Sequence, residues 1–172
     1  MQMHTAGILT RAQMRKVGAR HRVLVVGCER ALARFICTFL RLYGYEVDEA
    51  FSDSSALRKA AAHPPDVAIV MVVLMQGLVY GLDIGERISR RSKCSVIFLS
   101  ATDYYYIRHD LKCIHSEGCI SSLLSLPFEN SELLATLQYL TTLTKARRRM
   151  RFSRIAIQSD EKSAIRRRES GR

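Results

Sequence analysis

VAIVMVVLMQG, residues 67–77, is the most apolar run of the chain, and its reading decides how the rest is read. Val67 to Met75 carry no charge, and Val67, Ile69, Val70, Val72 and Val73 are β-branched. A membrane-spanning helix needs about 20 apolar residues, so a run that ends at Gln76 and Gly77 is too short to cross a bilayer. β-branched side chains favour the pleated strand over the helix, and Pro64, Pro65 and Asp66 supply a turn just upstream. Continuous apolarity, instead of alternation, predicts a strand covered on both faces, as in the middle of a parallel sheet.

Working outward from this strand, short apolar runs alternate with helix-period segments. Arg22 to Val26 is a first buried strand. It is followed by a helix over Glu29 to Tyr43, with Leu32, Phe35, Ile36, Phe39 and Leu40 at amphipathic spacing. Gly44 is a natural stop. Tyr45 to Ala50 forms a second strand, and Asp53 or Ser54 caps a helix that ends at Ala62, before the prolines. After the third strand, 67 to 74, come a helix from Leu82 to Arg91, a strand from Ser95 to Leu99, and a helix from Tyr105 to Ser116 closed by Gly118. A weaker fifth strand covers Cys119 to Leu124. Asn130 or Ser131 then caps a helix with Leu133, Leu134, Leu137 and Leu140 on one face. Five strand–helix repeats predict a doubly wound α/β domain with right-handed crossovers and helices on both faces of a five-stranded parallel sheet. Its site lies at the C-terminal ends of the strands, which directs attention to Gly27, Cys28 and Glu29, Met71 to Met75, Ser100 and Leu126.

Over about Arg22 to Leu143 the chain resembles the receiver domain of bacterial two-component response regulators, a flavodoxin-like fold. The resemblance rests on VLVVGCERALARFICTFLRLYGYEVDEAFS at 23–52, HPPDVAIVMVVLMQG at 63–77, SVIFLSA at 95–101 and LPFENSELLATL at 126–137, in order and at fitting spacing. It implies a module of phosphorelay signal transduction in which an aspartate at the end of strand three accepts a phosphoryl group. That chemistry needs a carboxylate nucleophile and a Mg²⁺ held by oxygen ligands. Here the acceptor position falls on Met71, and the acidic positions after strand one fall on Gly27 and Cys28, followed by a retained Glu29. The switch hydroxyl falls on Ser100 and the phosphate-binding lysine on Leu126. No Asp or Glu lies between Val67 and Leu82, so sliding the alignment restores no carboxylate. A thioether forms no acyl phosphate and is a poor ligand for a hard cation. The expectation is a degenerate receiver, a pseudo-receiver without cofactor or metal, acting by protein–protein interaction. Tyr104, Tyr105 and Tyr106, with Phe128, lie near the face that receivers use for partners and dimers.

Each of these residues also has a plainer reading. Ser100 bonds nearby backbone as strand-ending serines do, and Glu29 favours a helix N-terminus. Cys28 is an inert thiol among apolar neighbours, and the tyrosines pack beneath their loop. VVGCERA has one glycine where dinucleotide binding needs three. No H-E-x-x-H or Ser/His/Asp order occurs, and five cysteines without a C-x-x-C pair point to reduced thiols, not a disulfide or zinc framework. An enzyme has little support.

The net charge of +11 is concentrated at the two ends. Met1 to Arg22 hold five Lys/Arg and no acid, Lys145 to Arg172 hold eleven against three acids, and the middle is near neutral. The expected organisation is a basic extension over 1–21, a receiver domain over 22–143 and a basic, partly disordered tail over 144–172. The first segment lacks a secretory h-region, so a cytoplasmic protein with no membrane partner is expected. An Arg-rich transit peptide is the alternative, and Met14 competes with Met1 as the native start. The arginine triplets Arg147, Arg148, Arg149 and Arg166, Arg167, Arg168 are candidate polyanion contacts. They support a second reading, in which a nucleic-acid-associated regulator binds phosphates weakly and salt-sensitively through its basic ends. A protein partner or a homodimer fits the first reading.

Overall fold

The computed structural model describes residues 21–27, 29–75, 78–101, 120–147 and 150. Cys28, Tyr104, Tyr105, Tyr106, Arg148, Arg149, Arg166, Arg167 and Arg168 lie outside them, as does the helix expected over Tyr105 to Ser116. The elements run β1 (Arg22–Val26), α1 (Arg30–Leu42), β2 (Glu46–Ala50), α2 (Asp53–Ala62), β3 (Val67–Met75), β4 (Leu78–Tyr80), α3 (Leu82–Ser92), β5 (Ser95–Ser100), β6 (Ser121–Ser125) and α4 (130–147). The sheet order is β2-β1-β3-β5-β6, with all neighbours parallel. This is the expected doubly wound sheet. It carries one addition, β4, which folds back antiparallel on the end of β3 and pairs Val73 with Tyr80 and Met75 with Leu78.

β3 is central, held by β1 through Val23↔Val67 to Val26↔Val70 and by β5 through Val67↔Ser95 to Val72↔Ser100. Strand side chains alternate between faces, so this sheet builds two cores. Val23, Val25, Ile69, Met71, Ile97 and Leu99 meet α1 and α4. Leu24, Val26, Ala68, Val70, Val72 and Phe98 meet α2 and α3. The continuous apolarity of β3 follows directly, because both of its faces are covered. Gly85 lets α3 come close to β5: a Cβ there would stand 2.5 Å from Phe98 Cε1 and 2.8 Å from Cζ.

Several local expectations shift. Ser52, not Asp53 or Ser54, caps α2: its backbone is extended and its Oγ accepts from the Ser55 N–H at 3.3 Å. Asp53 instead falls in the first turn, where the helix dipole favours an acid. The Glu129 carbonyl accepts the first bonds of α4, from Glu132 and Leu133, so Asn130 already lies within the helix. In α1 the buried seam is Ala33, Ile36, Cys37 and Leu40, while Phe35 is half exposed and stacks on Phe39. Gly44 ends α1 as expected, at φ 85°, with Gly44 N–H donating to Arg41 O and Tyr45 N–H to Leu40 O. The packed body also reaches past both expected limits. His21 is buried with Nδ1 3.4 Å from Asp66 Oδ2, and the buried Thr144 hydroxyl bonds the Ser95 hydroxyl at 2.7 Å.

Candidate functional site

The strand order reverses at β1, since the chain moves to β2 on one side and to β3 on the other. In open α/β sheets such a switch point leaves a crevice beyond the strand ends. Gly27, one residue past β1, and Met71 on β3 flank it. Their packing is complementary. A Cβ on Gly27 would collide with Met71 Sδ and stand 2.9 Å from its Cε and 3.1 Å from its Cγ. The thioether of Met71 therefore occupies the space that a side chain at 27 would need, and Met71 is only 9% exposed.

The β3–β4 hairpin adds a second wall. Gly81, at φ 101°, brings the chain back so tightly that a Cβ there would collide with the Met71 carbonyl oxygen. Only glycine holds that left-handed conformation without strain. Between the hairpin and the ends of β1 and β2 lies a pocket of about 250 Å³, lined by Val26, Gly27, Phe51, Ser52, Asp53, Val70, Met71, Val73, Tyr80, Gly81 and Ile84. Phe51 carries the Arg30 guanidinium over its ring at 4.7 Å, and Tyr80 is half exposed.

The other residues singled out from the sequence are not gathered into this pocket. Glu29 is the N-cap of α1, and both of its carboxylate oxygens are engaged: Oε1 accepts from the Ala31 N–H at 2.9 Å and Oε2 from the Leu32 N–H at 2.6 Å. Ser100, 1% exposed, lies at the end of β5 level with Ser125, and its carbonyl accepts from the Leu126 N–H at 2.8 Å. Leu126 precedes Pro127 through a cis peptide, and Phe128 is partly buried against the α1/α4 core. Of the positions flagged on the resemblance, the crevice thus brings together Gly27 and Met71 alone among the described residues. Cys37 and Cys94 are buried, and burial, with Glu49 nearby, pushes the Cys37 thiol up, which keeps it protonated and unreactive.

Among the described residues the donor set does not fit a hard divalent cation, because Gly27 offers no side chain, Met71 offers a soft sulfur, Glu29 is turned into its own helix, and Asp53 is left as a lone carboxylate in the lining. Sequence reasoning missed the hairpin and with it Phe51, Ser52, Asp53, Tyr80 and Gly81 as site residues. A signal was present: an apolar run, two residues ending in glycine, then Leu-Val-Tyr, reads as a tight hairpin.

No family model matches the chain. Solved structures do. The chemotaxis protein CheY4 of Vibrio cholerae superposes with a TM-score of 0.59 at 24% identity, over 70% of this chain and 98% of that one. A CheY-like response regulator receiver domain from Methanospirillum hungatei gives 0.61 at 18%, over 74% and 98%. The signal receiver domain of a modulated diguanylate cyclase from Desulfovibrio desulfuricans gives 0.63 at 22%, over 74% and 98%. The fold is that of a response-regulator receiver domain. At these identities the likeness carries the architecture and not the chemistry. The Gly27–Met71 packing is read from this chain's own residues. Among the described residues no helix is long and apolar enough to cross a membrane.

Proposed function

We propose that this receiver-fold chain takes up no phosphoryl group and works as a signalling module by contacting another protein. The observation that carries this reading is the Met71 thioether seated against Gly27 at the end of the central strand. An acyl phosphate needs a carboxylate nucleophile, and the leaving and entering oxygens need a metal or fixed cations to neutralise them. At the strand end there is a sulfur that forms no such mixed anhydride, and the retained acid, Glu29, spends both oxygens on capping α1.

Contact with a protein is supported by apolar surface on the helices that cover one face. Phe35 is 50% exposed and Leu42 46% on α1, and Tyr139 is 64% exposed on α4. Phe35 stacks on Phe39 at 6.2 Å between ring centroids, which holds it out as a rigid apolar feature. Aromatic residues on a firm backbone are what protein interfaces enrich. The test has two arms. Incubated with acetyl phosphate and Mg²⁺, the intact protein is expected to show no adduct of about 80 Da, the mass of one phosphoryl group. A partner captured from native cytosol is expected to be lost on Phe35→Asp with the thermal melt unchanged. A hydroxylamine-labile phosphoryl adduct, or capture indifferent to Phe35, refutes the corresponding half.

A further inference from the structure

The pocket beside Met71 is formed by elements that the interaction reading does not use. Because the thioether lies back on Gly27, the volume in front of it stays open, about 250 Å³ between the ends of β1 and β2 and the β3–β4 hairpin. Its walls are apolar and aromatic: Met71, Val73 and Ile84 with the rings of Phe51 and Tyr80. An engineered apolar cavity of about 150 Å³ takes one benzene, so this pocket has room for a two-ring aromatic. Sulfur at a ring edge is a favourable contact in its own right.

The rim decides the charge of the occupant. Ser52 Oγ is committed to the Ser55 N–H and the Ser54 hydroxyl. Asp53 lines the pocket, is exposed, and makes no salt bridge among the described residues. The nearby cation, Arg30, stands over Phe51 but is not among the lining residues. We propose that this pocket binds a small aromatic amine, its rings against Met71, Phe51 and Tyr80 and its cationic nitrogen at Asp53. The proposal holds whether or not the chain also contacts a protein.

The chain contains no tryptophan, so indole emission reports binding directly. The full-length protein is titrated with tryptamine, indole and indole-3-propionate at low salt. Tryptamine is expected to saturate and to bind about tenfold more tightly than indole-3-propionate, the effect of one exposed attraction gained and a similar repulsion avoided. Asp53→Asn is expected to close that gap to under about twofold, and Val73→Phe, which fills the pocket, to remove binding of all three. Should Val73→Phe fail to fold, the methyl resonance of Met71, assigned with Met71→Leu, decides: it is expected to shift on adding tryptamine to the unsubstituted protein. Amine and acid binding alike, emission changes that do not saturate, or a Met71 methyl that does not move would each overturn the proposal.

Discussion

The seating of Met71 on Gly27 predicts a specific coupling between two substitutions that each look mild. Gly27 is not among the glycines at positive φ, so alanine there meets no backbone strain, and any cost is steric. The added Cβ would overlap Met71 Sδ and lie 2.9 and 3.1 Å from Cε and Cγ. Sδ and Cε can swing toward the open pocket, but Cγ, fixed near the strand, has less freedom. The cost is therefore expected at the low end for overpacking, about 1 kcal/mol. Met71→Ala removes a 9%-exposed side chain from the α1/α4 core beside an existing pocket, which places it near the lower limit for such truncations, about 2 kcal/mol. If the two effects were independent the double variant would lose about 3 kcal/mol. With the thioether gone, however, the alanine at 27 has room, and its lower unfolded-state entropy contributes a few tenths of a kcal/mol. The double variant is expected to lose about 2 kcal/mol or less, a coupling of at least about 1 kcal/mol. Urea unfolding of the four proteins at one pH, followed by circular dichroism with m values compared, measures it. Losses that add to within about 0.5 kcal/mol, the tolerance for independent sites, would refute the seating of Met71 on Gly27.

Three further outcomes are expected. Tyr45 is 4% exposed, its hydroxyl is buried without a hydrogen-bond partner among the described residues, and burial pushes it up to about 12. The folded state then holds this proton where the unfolded chain has released it, so the contribution is complete below about pH 10 and is lost, by roughly 2–3 kcal/mol, as pH rises through 12. Tyr45→Phe should flatten that alkaline loss and cost under about half a kcal/mol at neutral pH; urea midpoints at pH 8 and pH 11 for both proteins decide, and parallel falls would refute it. Gly85→Ala, although alanine is the better helix former, should destabilise by about 1–3 kcal/mol because its Cβ would meet the Phe98 ring, and a thermal melt at or above the parent's would contradict the close approach of α3 to β5. Duplex DNA binding by the full chain, if driven by the eleven Lys/Arg from Lys145 onward, should be weak and fall with salt at a slope of about −0.9 per phosphate contacted. Replacing the arginines at 147–149 and 166–168 with glutamine should flatten that slope, and tight binding that persists at physiological salt would favour the nucleic-acid reading.

Much of the architecture was legible because one physical signal was strong. VAIVMVVLM could only be satisfied by cover on both faces, and the runs around it, RVLVV and SVIFLS, pair with it on either side. Helix faces were less legible. The 3.6-residue pattern of α1 holds two overlapping stripes, and the pattern alone favoured Phe35 over Ala33 and Cys37. The sheet selects the stripe with the small residues, because they let the helix axis approach, and leaves Phe35 outside. Caps moved by a residue for a similar reason: Ser52, Asp53 and Ser54 all have capping chemistry, and the backbone geometry at the end of β2 chooses among them.

The absence of a carboxylate from the central strand is a property of composition, since no Asp or Glu occurs between Val67 and Leu82 and no arrangement of the chain supplies one on that strand. The parallel sheet likewise follows from local runs whose apolar content must be buried, whereas the order β2-β1-β3-β5-β6 is a result of the tertiary structure. What the tertiary structure alone decided is where the side chains went. Glu29 could have faced the crevice or its own helix, and the unsatisfied N–H groups of the first turn of α1, two of which it accepts, drew it away. Met71 could have filled the pocket or leaned on Gly27, 44 residues earlier in the chain, and only the parallel pairing of β1 with β3 brings that glycine beneath its sulfur. The pocket itself depends on β1 and β2 ending opposite Val70 while β4 folds back over the next residues of β3 as far as Val73. That is a relation between segments distant in sequence, set by strand register and by the turn at Gly81, and no local pattern encodes it.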